Sequence, residues 1–130
     1  GFEDRIEFIN SAVSTEDGQL EIGVESTGRY SGVDCLETGS RQTFAAIGIN
    51  TLLSRVSATL GGIEIVKIDC EGAERQFLPA ISNQNLERVS GFRIESREFE
   101  DSSLIAAGFT KSTTFNDGQG GYVFDYHRQS

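Results

Sequence analysis

The sequence predicts an α/β fold in which strands and helices alternate and the chain closes on an antiparallel hairpin. Three observations carry this expectation. The stretch "IEIVKIDCEGAERQFL", residues 63–78, opens with four aliphatic residues interrupted only by Glu64 and Lys67. Ile63, Ile65, Val66 and Ile68 there point to both faces, the pattern of a central, parallel strand covered by helices above and below. Ile49, Leu52, Leu53 and Val56 before it, and Ala73, Phe77, Leu78 and Ile81 after it, follow helical spacing. At the C-terminus, "FTKSTTF" and "GYVFDYH" flank "NDGQG", two strands around a turn.

In chain order, residues 5–13, "RIEFINSAV", read as a strand, and "QLEIGV" at 19–24 alternates like a half-buried one. Asp17-Gly18 between them is a turn signal, so a hairpin or tight return is expected. The polar, glycine-rich stretch from Ser26 to Thr43 reads as a surface loop. The first helix begins near Ile49 and ends before Gly61-Gly62. After strand 63–68, Glu71 and Glu74 occupy the first turns of the next helix, where the helix dipole favours negative charge. Pro79 should kink or shorten that helix. "VSGFRIE", residues 89–95, reads as a strand ending in a carboxylate. Ser102 or Ser103 is a candidate cap for the short helix "LIAA", and Gly108 its stop. The order is strand-rich at the start, then β-α-β-α-β-β, without an internal repeat.

A chain of 130 residues suits one domain with one core. Fifteen glycines and a single proline indicate many turns without the bias of a linker. Twenty acids against eleven bases leave a net charge of −9, which repels a phosphate backbone and an anionic membrane surface alike. No apolar run approaches the roughly 18 residues that span a bilayer, and no signal-peptide pattern opens the chain. Cys35 and Cys70 lack metal-ligand spacing and are a poor basis for a disulfide framework, so a cytoplasmic setting is expected. The chain begins Gly-Phe-Glu and contains no methionine, which leaves its natural start open.

Chemistry concentrates where the strand at 63–68 ends. Ligands of open α/β sheets bind outside the carboxyl ends of the strands. Asp69 and Glu71 stand at that place, and Glu95 stands at the end of the following strand, so adjacency of the two strands would bring three carboxylates to one cleft. Glu71 and Glu74 also fit ordinary first-turn acids, and Asp69 an N-cap. "EGAE" sits awkwardly with that reading, because glycine costs about 1 kcal/mol against alanine in a helix interior. Gly72 fits better where the backbone approaches a ligand or turns sharply.

"IVKIDCEGAERQFL" resembles the signature "lKiDvEGaE..vL" of FkbM-type methyltransferases, which use S-adenosylmethionine and mostly methylate hydroxyl groups of sugars and other small metabolites. "NSAVSTEDGQLEI" resembles that family's "naAlsd.dG...l" segment, "INTLLSRV" its "ttLd.ll" helix, and "FRIES" its following "i.iE" strand. The likeness runs from about Asn10 to Gly108, and the "KIDCEGAE" block is its most specific part. It implies a partial Rossmann-like methyltransferase sheet with a C-terminal antiparallel hairpin, corresponding to the C-terminal two thirds of a class I methyltransferase domain. Carried over, Asp69 and Glu71 line the pocket near the transferred methyl group, and one of them orients the acceptor hydroxyl or takes its proton. Ser11 and Ala12 lie near the adenine, and Glu95 is a candidate for contact with the acceptor or an exposed strand-end acid.

Methyltransferases of this fold hold their cofactor with a glycine-rich turn resembling "vDvGAniG" and an acid after the second strand. No stretch of this chain matches either element. "NDGQGGY" opens a strand instead of a helix and reads as a hairpin turn. Three accounts of the missing half follow: a piece of a longer enzyme, a remnant that kept the fold and lost the cofactor, or a subunit that completes its sheet with a second copy. The last has a physical motive, because an exposed apolar strand edge pairs with any strand available; a homodimer, or strand 5–13 folded in beside 63–68, is expected.

Other chemistry is thin. His127, the single histidine, is the fourth residue counted back from the C-terminal end of the sequence and is expected on a frayed tail, which disfavours Ser-His-Asp or Cys-His nucleophiles. Neighbouring acids should raise the Cys70 pKa and blunt its reactivity. No Asp-x-Asp-x-Asp-Gly loop is present, and no metal site is expected. The competing functional class is a non-catalytic α/β module acting through self-association.

Overall fold

The computed structural model describes residues 1–24, 31–32 and 40–129. It is an α/β structure with two mixed four-stranded sheets. The first contains β1 (Ala12–Ser14), β2 (Gly18–Val24), β3 (Ser31–Gly32) and β4 (Arg41–Gly48), in the order β1-β4-β2-β3. Helix α1 (Ile49–Leu60) leads to the second sheet, made of β5 (Val66–Ile68), β6 (Gly91–Ser96), β7 (Phe109–Asn116) and β8 (Tyr122–Arg128), in the order β5-β6-β8-β7. Short helices α2 (Glu74–Phe77) and α3 (Asn83–Leu86) join β5 to β6, and α4 (Ser102–Ala106) joins β6 to β7.

The N-terminal sheet departs from the sequence reading. Residues 5–13 are not one strand: Glu3–Arg5 form a turn of 3₁₀ helix, and pairing begins only at Ala12. The chain does return tightly at Asp17-Gly18, but β1 and β2 are no hairpin, because β4 lies between them, parallel to β1 and antiparallel to β2. Part of the expected surface loop is strand as well. Ser31–Gly32 pairs with the end of β2, and Arg41–Thr43 belong to β4. Residues 26–30 and 33–39 of that stretch, Cys35 included, lie outside the described residues. The turn residue Asp17 has a second use: its carboxylate accepts hydrogen bonds from Gly48 N (2.8 Å) and Thr51 Oγ1 (2.9 Å), tying the turn to the start of α1.

Helix α1 follows its predicted stripe, with Ile49, Leu53 and Ser57 buried, and ends at Gly61, whose φ of 79° is a left-handed C-cap that glycine adopts without steric cost. Pro79 shortens the next helix as expected: α2 covers only Glu74–Phe77, and a 3₁₀ turn follows at Leu78–Ala80. α3 is absent from the sequence reading; Ser82 caps it by accepting from Asn85 N. At α4 the N-cap residue is Asp101, without a side-chain cap bond, so neither Ser102 nor Ser103 has the predicted role.

β5 corrects the expectation of a central strand. It is parallel to β6, with Ile68 opposite Ile94, but it is the edge of its sheet. Ile68 is buried while Ile65 is 62% exposed, so helices do not cover both faces. In β6, Phe92, Ile94 and Ser96 are buried and Arg93 and Glu95 exposed, the alternation of a sheet packed on one side. The core lies on that side, built from Leu53, Phe77, Leu78, Leu86, Leu104 and the inward residues of β6 and β8. The C-terminal hairpin β7–β8 is present as expected. His127 is no frayed tail, because it pairs with Gly91 on one side and Thr110 on the other.

A polar cluster closes the core at the start of α4. The Tyr126 hydroxyl donates to Asp101 Oδ2 at 2.7 Å, and the Lys111 ammonium lies 3.2 Å from the same oxygen and 4.5 Å from the Phe124 ring centre. Burial works to raise the Asp101 carboxyl, but hydrogen bonds from Tyr126 and Lys111 outweigh it and hold the group below the usual carboxylate range. Burial, reinforced by Asp101, pushes the Tyr126 phenol up. A carboxyl lowered by folding adds stability above its unfolded value of about 3.9 and loses it as pH falls through the folded value. Asp101→Asn is therefore expected to destabilise by about 1–2 kcal/mol at neutral pH, with the gap to wild type narrowing near about pH 3. Urea midpoints at both pH values test this; an equal gap at both would refute it.

Candidate acid-lined cleft

The sequence from Asp69 to Glu74 must leave the edge strand, reverse and enter a helix within a few residues. Two backbone conformations achieve this. Gly72 has φ 110°, which a side chain would strain, and Glu71 has φ 50°, the single positive φ of a non-glycine residue among the described residues. Left-handed backbone costs a non-glycine residue about 1–2 kcal/mol. The glycine in "EGAE" thus has the conformational reason that its spacing suggested.

Glu74 holds this turn. It is only 2% exposed, and each carboxylate oxygen has a partner: Oε2 accepts from Gly72 N at 2.9 Å, and Oε1 accepts from the Ser96 hydroxyl at 2.6 Å. It therefore ties the turn after β5 to the end of β6. The sequence reading treated Glu74 as a first-turn acid favoured by the helix dipole. Its inward role had one signal, the i, i+2 spacing to a glycine whose N–H needs an acceptor.

A cleft of about 420 Å³ opens where β5 and β6 end. Asp69, Glu71 and Glu95 all line it, so the three carboxylates that the sequence singled out do meet. Asp69 and Glu95 follow directly on the paired residues Ile68 and Ile94 or their neighbours, which places them side by side at the strand ends. With Glu74 and Asp117 the cleft holds five acids against Arg75 and Arg97. Such a lining disfavours anionic ligands and suits hydroxyl donors, which carboxylates accept from readily.

The wall opposite the strand-end turn comes from the C-terminal hairpin, which the sequence reading did not connect with the site. Asp117 Oδ1 accepts from Gln119 N (2.7 Å) and Gly121 N (2.9 Å), and Asn116 Oδ1 accepts from Gly118 N (2.8 Å), so the tip is an ordered turn. Those two backbone bonds, with Arg97 nearby, hold the Asp117 carboxyl below its usual range. Phe115, Asp117, Gln119, Tyr122 and Val123 all face the cleft. The pairing that brings them there, β8 against β6, joins residues some thirty positions apart and leaves no local mark in the sequence.

Ser11 and Ala12 do not line this cleft. Ala12 begins β1 in the other sheet, opposite Ala46 of β4. Cys70 is half-buried and reduced; burial pushes its thiol up, and the charges of Glu74, Asp69 and Glu71 add to that, against a hydrogen bond from the Asp69 backbone. The raised pKa agrees in direction with the sequence expectation, with burial as the larger cause. Among the described residues, no group of three or more His, Cys, Asp or Glu side chains is placed to hold a metal ion, and no helix is long and apolar enough to cross a membrane. Comparison with protein-family models, with curated proteins and with solved structures finds no match.

Proposed function

We propose that the chain is part of an S-adenosylmethionine-dependent O-methyltransferase of the FkbM type, acting in the cytoplasm on a small metabolite or sugar hydroxyl that enters the acid-lined cleft. One observation carries the reading. Asp69 and Glu71 of "KIDCEGAE" and Glu95 of "FRIES" come to a single cleft at the carboxyl ends of two parallel strands, the place where open α/β sheets bind ligands. The pair β5–β6 followed by the antiparallel hairpin also agrees with a partial Rossmann-like methyltransferase sheet. In this reading Asp69 or Glu71 orients the acceptor hydroxyl and accepts its proton, and Glu95 contacts the acceptor.

The described residues fit the acceptor side of such a site and not the cofactor side. Backbone N–H groups of glycines between a strand and a helix are the natural grip for the cofactor. Here the two glycines so placed, Gly48 and Gly72, have their N–H groups committed to Asp17 and Glu74. Ser11 and Ala12, expected near the adenine, belong to the other sheet. No step is therefore assigned to the cofactor, and the cleft residues' own part is to hold a hydroxyl and take its proton.

A second reading, a non-catalytic module that self-associates, is favoured by β5. Among the described residues its outer edge has no strand partner, and the neighbouring Ile65 is largely exposed. Unpaired apolar edges accept further strands, and a second copy of the chain is the partner we assign. Titration of S-adenosylmethionine with calorimetry and thermal unfolding tests the first reading. Ligand at 100 times its dissociation constant stabilises a one-site protein by about 2.7 kcal/mol. Saturable binding weakened by Asp69→Ala or Glu71→Ala supports the assignment, and absence of both heat and thermal shift overturns cofactor binding by this chain. A monomer mass in light scattering removes the self-association reading.

A further inference from the structure

The residue that stands out in the cleft beyond the carboxylates is Phe115. It is 59% exposed, and most exposed apolar side chains on a protein surface need no explanation. Phe2, Phe8 and Leu60 are more exposed still, but none of them lines the cleft. Phe115 does, at the far wall from the strand-end turn.

Its position follows from an irregularity in β7. From Phe109 opposite Arg128 to Thr113 opposite Phe124 the ladder is regular, and continued without a break it would bring Phe115 opposite Tyr122. Phe115 instead pairs with Val123, because Thr114 is an extra residue in β7 whose hydroxyl is tied to Val123 O at 3.1 Å. Such a bulge re-aims the side chains that follow it. Val123 is in turn opposite Glu95, so Phe115, Val123 and Glu95 form one row on the solvent-facing side of the sheet. The row puts an aromatic ring and a carboxylate two strand spacings apart, about 10 Å. Val123 stands between them as a floor, and the span above it matches the width of one six-membered ring.

We infer that Phe115 is a recognition residue, an aromatic platform on which the apolar face of an uncharged, hydroxyl-rich ring rests while its rim donates to Glu95 and Asp69. The electron-rich face of phenylalanine attracts the C–H groups of such a ring. The surplus of acids in the cleft favours hydroxyl donors over anions. The bulge at Thr114 is the device that supplies the platform, since a regular ladder would turn the ring toward the core side. This rests on the reading of the cleft as an acceptor site.

The test is an NMR titration of the full chain, with labelled amides and aromatic rings, using methyl β-D-glucopyranoside as the ring probe and sorbitol as an acyclic polyol with similar hydroxyls. The expected result is saturable movement of the Phe115 ring signals and of the Glu95 and Val123 amides with the glucoside and not with sorbitol. Phe115→Ala is expected to weaken the glucoside about fivefold, and Phe115→Tyr to preserve it. An unmoved Phe115 ring, equal responses to both probes, or unchanged affinity in Phe115→Ala overturns the inference. An unperturbed amide spectrum of Phe115→Ala away from the cleft establishes that the variant folds. The two functional readings separate cleanly. Glucoside binding at Phe115 without S-adenosylmethionine binding leaves the platform and removes cofactor binding by this chain. S-adenosylmethionine binding with an unmoved Phe115 ring does the reverse.

Discussion

Glu74→Ala is expected to destabilise the chain by about 3 kcal/mol and to lower its thermal midpoint by roughly 10 °C. The substitution removes a buried side chain and leaves two groups without partners, the Gly72 N–H and the Ser96 hydroxyl. An unmet buried donor loses about 1–3 kcal/mol, and the emptied volume adds to this. Glu74→Gln distinguishes the bonds from the charge. A carboxamide oxygen can accept from Gly72 N while its NH₂ donates to Ser96 Oγ, which then acts as the acceptor. Glu74→Gln should therefore retain most of the stability that Glu74→Ala loses. The same pair bears on function, because Glu74 positions the turn that carries Asp69 and Glu71. Chemical denaturation of both variants checks the claim, and a Glu74→Ala midpoint within error of wild type would show that the turn holds itself.

Arg128 should have an effect of similar size, although it stands two residues from the C-terminal end. Its guanidinium donates to three backbone carbonyls, Val89 O (3.1 Å), Ala107 O (2.8 Å) and Leu86 O (2.5 Å), and lies 4.4 Å from the centre of the Phe109 ring. Two of those carbonyls terminate the helical segments that flank β6 and β7, α3 at Leu86 and the turn after α4 at Ala107, so one side chain closes two chain reversals. Arg128→Ala removes all three hydrogen bonds, leaving Leu86 O only the Val89 N–H, and is expected to lose about 3 kcal/mol. Arg128→Lys should recover less than half, since a single ammonium cannot reproduce a planar fork aimed at three acceptors. Equal stability of the Lys variant and wild type would mean that charge alone suffices. Loss of amide protection in α3 and β7, followed by hydrogen exchange, would locate the damage where the carbonyls lie.

Both residues show why parts of this protein were legible and others were not. Helix α1 was readable because its buried stripe, Ile49 and Leu53 with their neighbours, repeats within the helix itself. Pro79 and Gly61 acted as written, since each constrains its own backbone. Strand-end acids were visible too, because Asp69, Glu71 and Glu95 follow directly on apolar runs, and their convergence required only that β5 and β6 be neighbours. Glu74 was visible as a carboxylate and invisible as a buried tie, because its partner Ser96 is 22 residues away. Arg128 drew no reading from the sequence for the same reason: its acceptors lie 21 to 42 residues back.

From α1 onward, apart from the short α3, the amino-acid sequence by itself determined the succession of strands and helices, the breaks between them and the placing of carboxylates at strand ends. Those properties depend on periods of two or 3.6 residues and on the conformational limits of glycine and proline, all of which act over a single turn or strand. Tertiary structure alone decided that β4 inserts between β1 and β2, that β5 is an edge strand, and that the bulged hairpin forms the far wall of the cleft. An aliphatic run encodes that it will be paired and partly buried, but not by which strand or on how many sides. That choice is a competition among long-range contacts, and it is settled only when the whole chain packs.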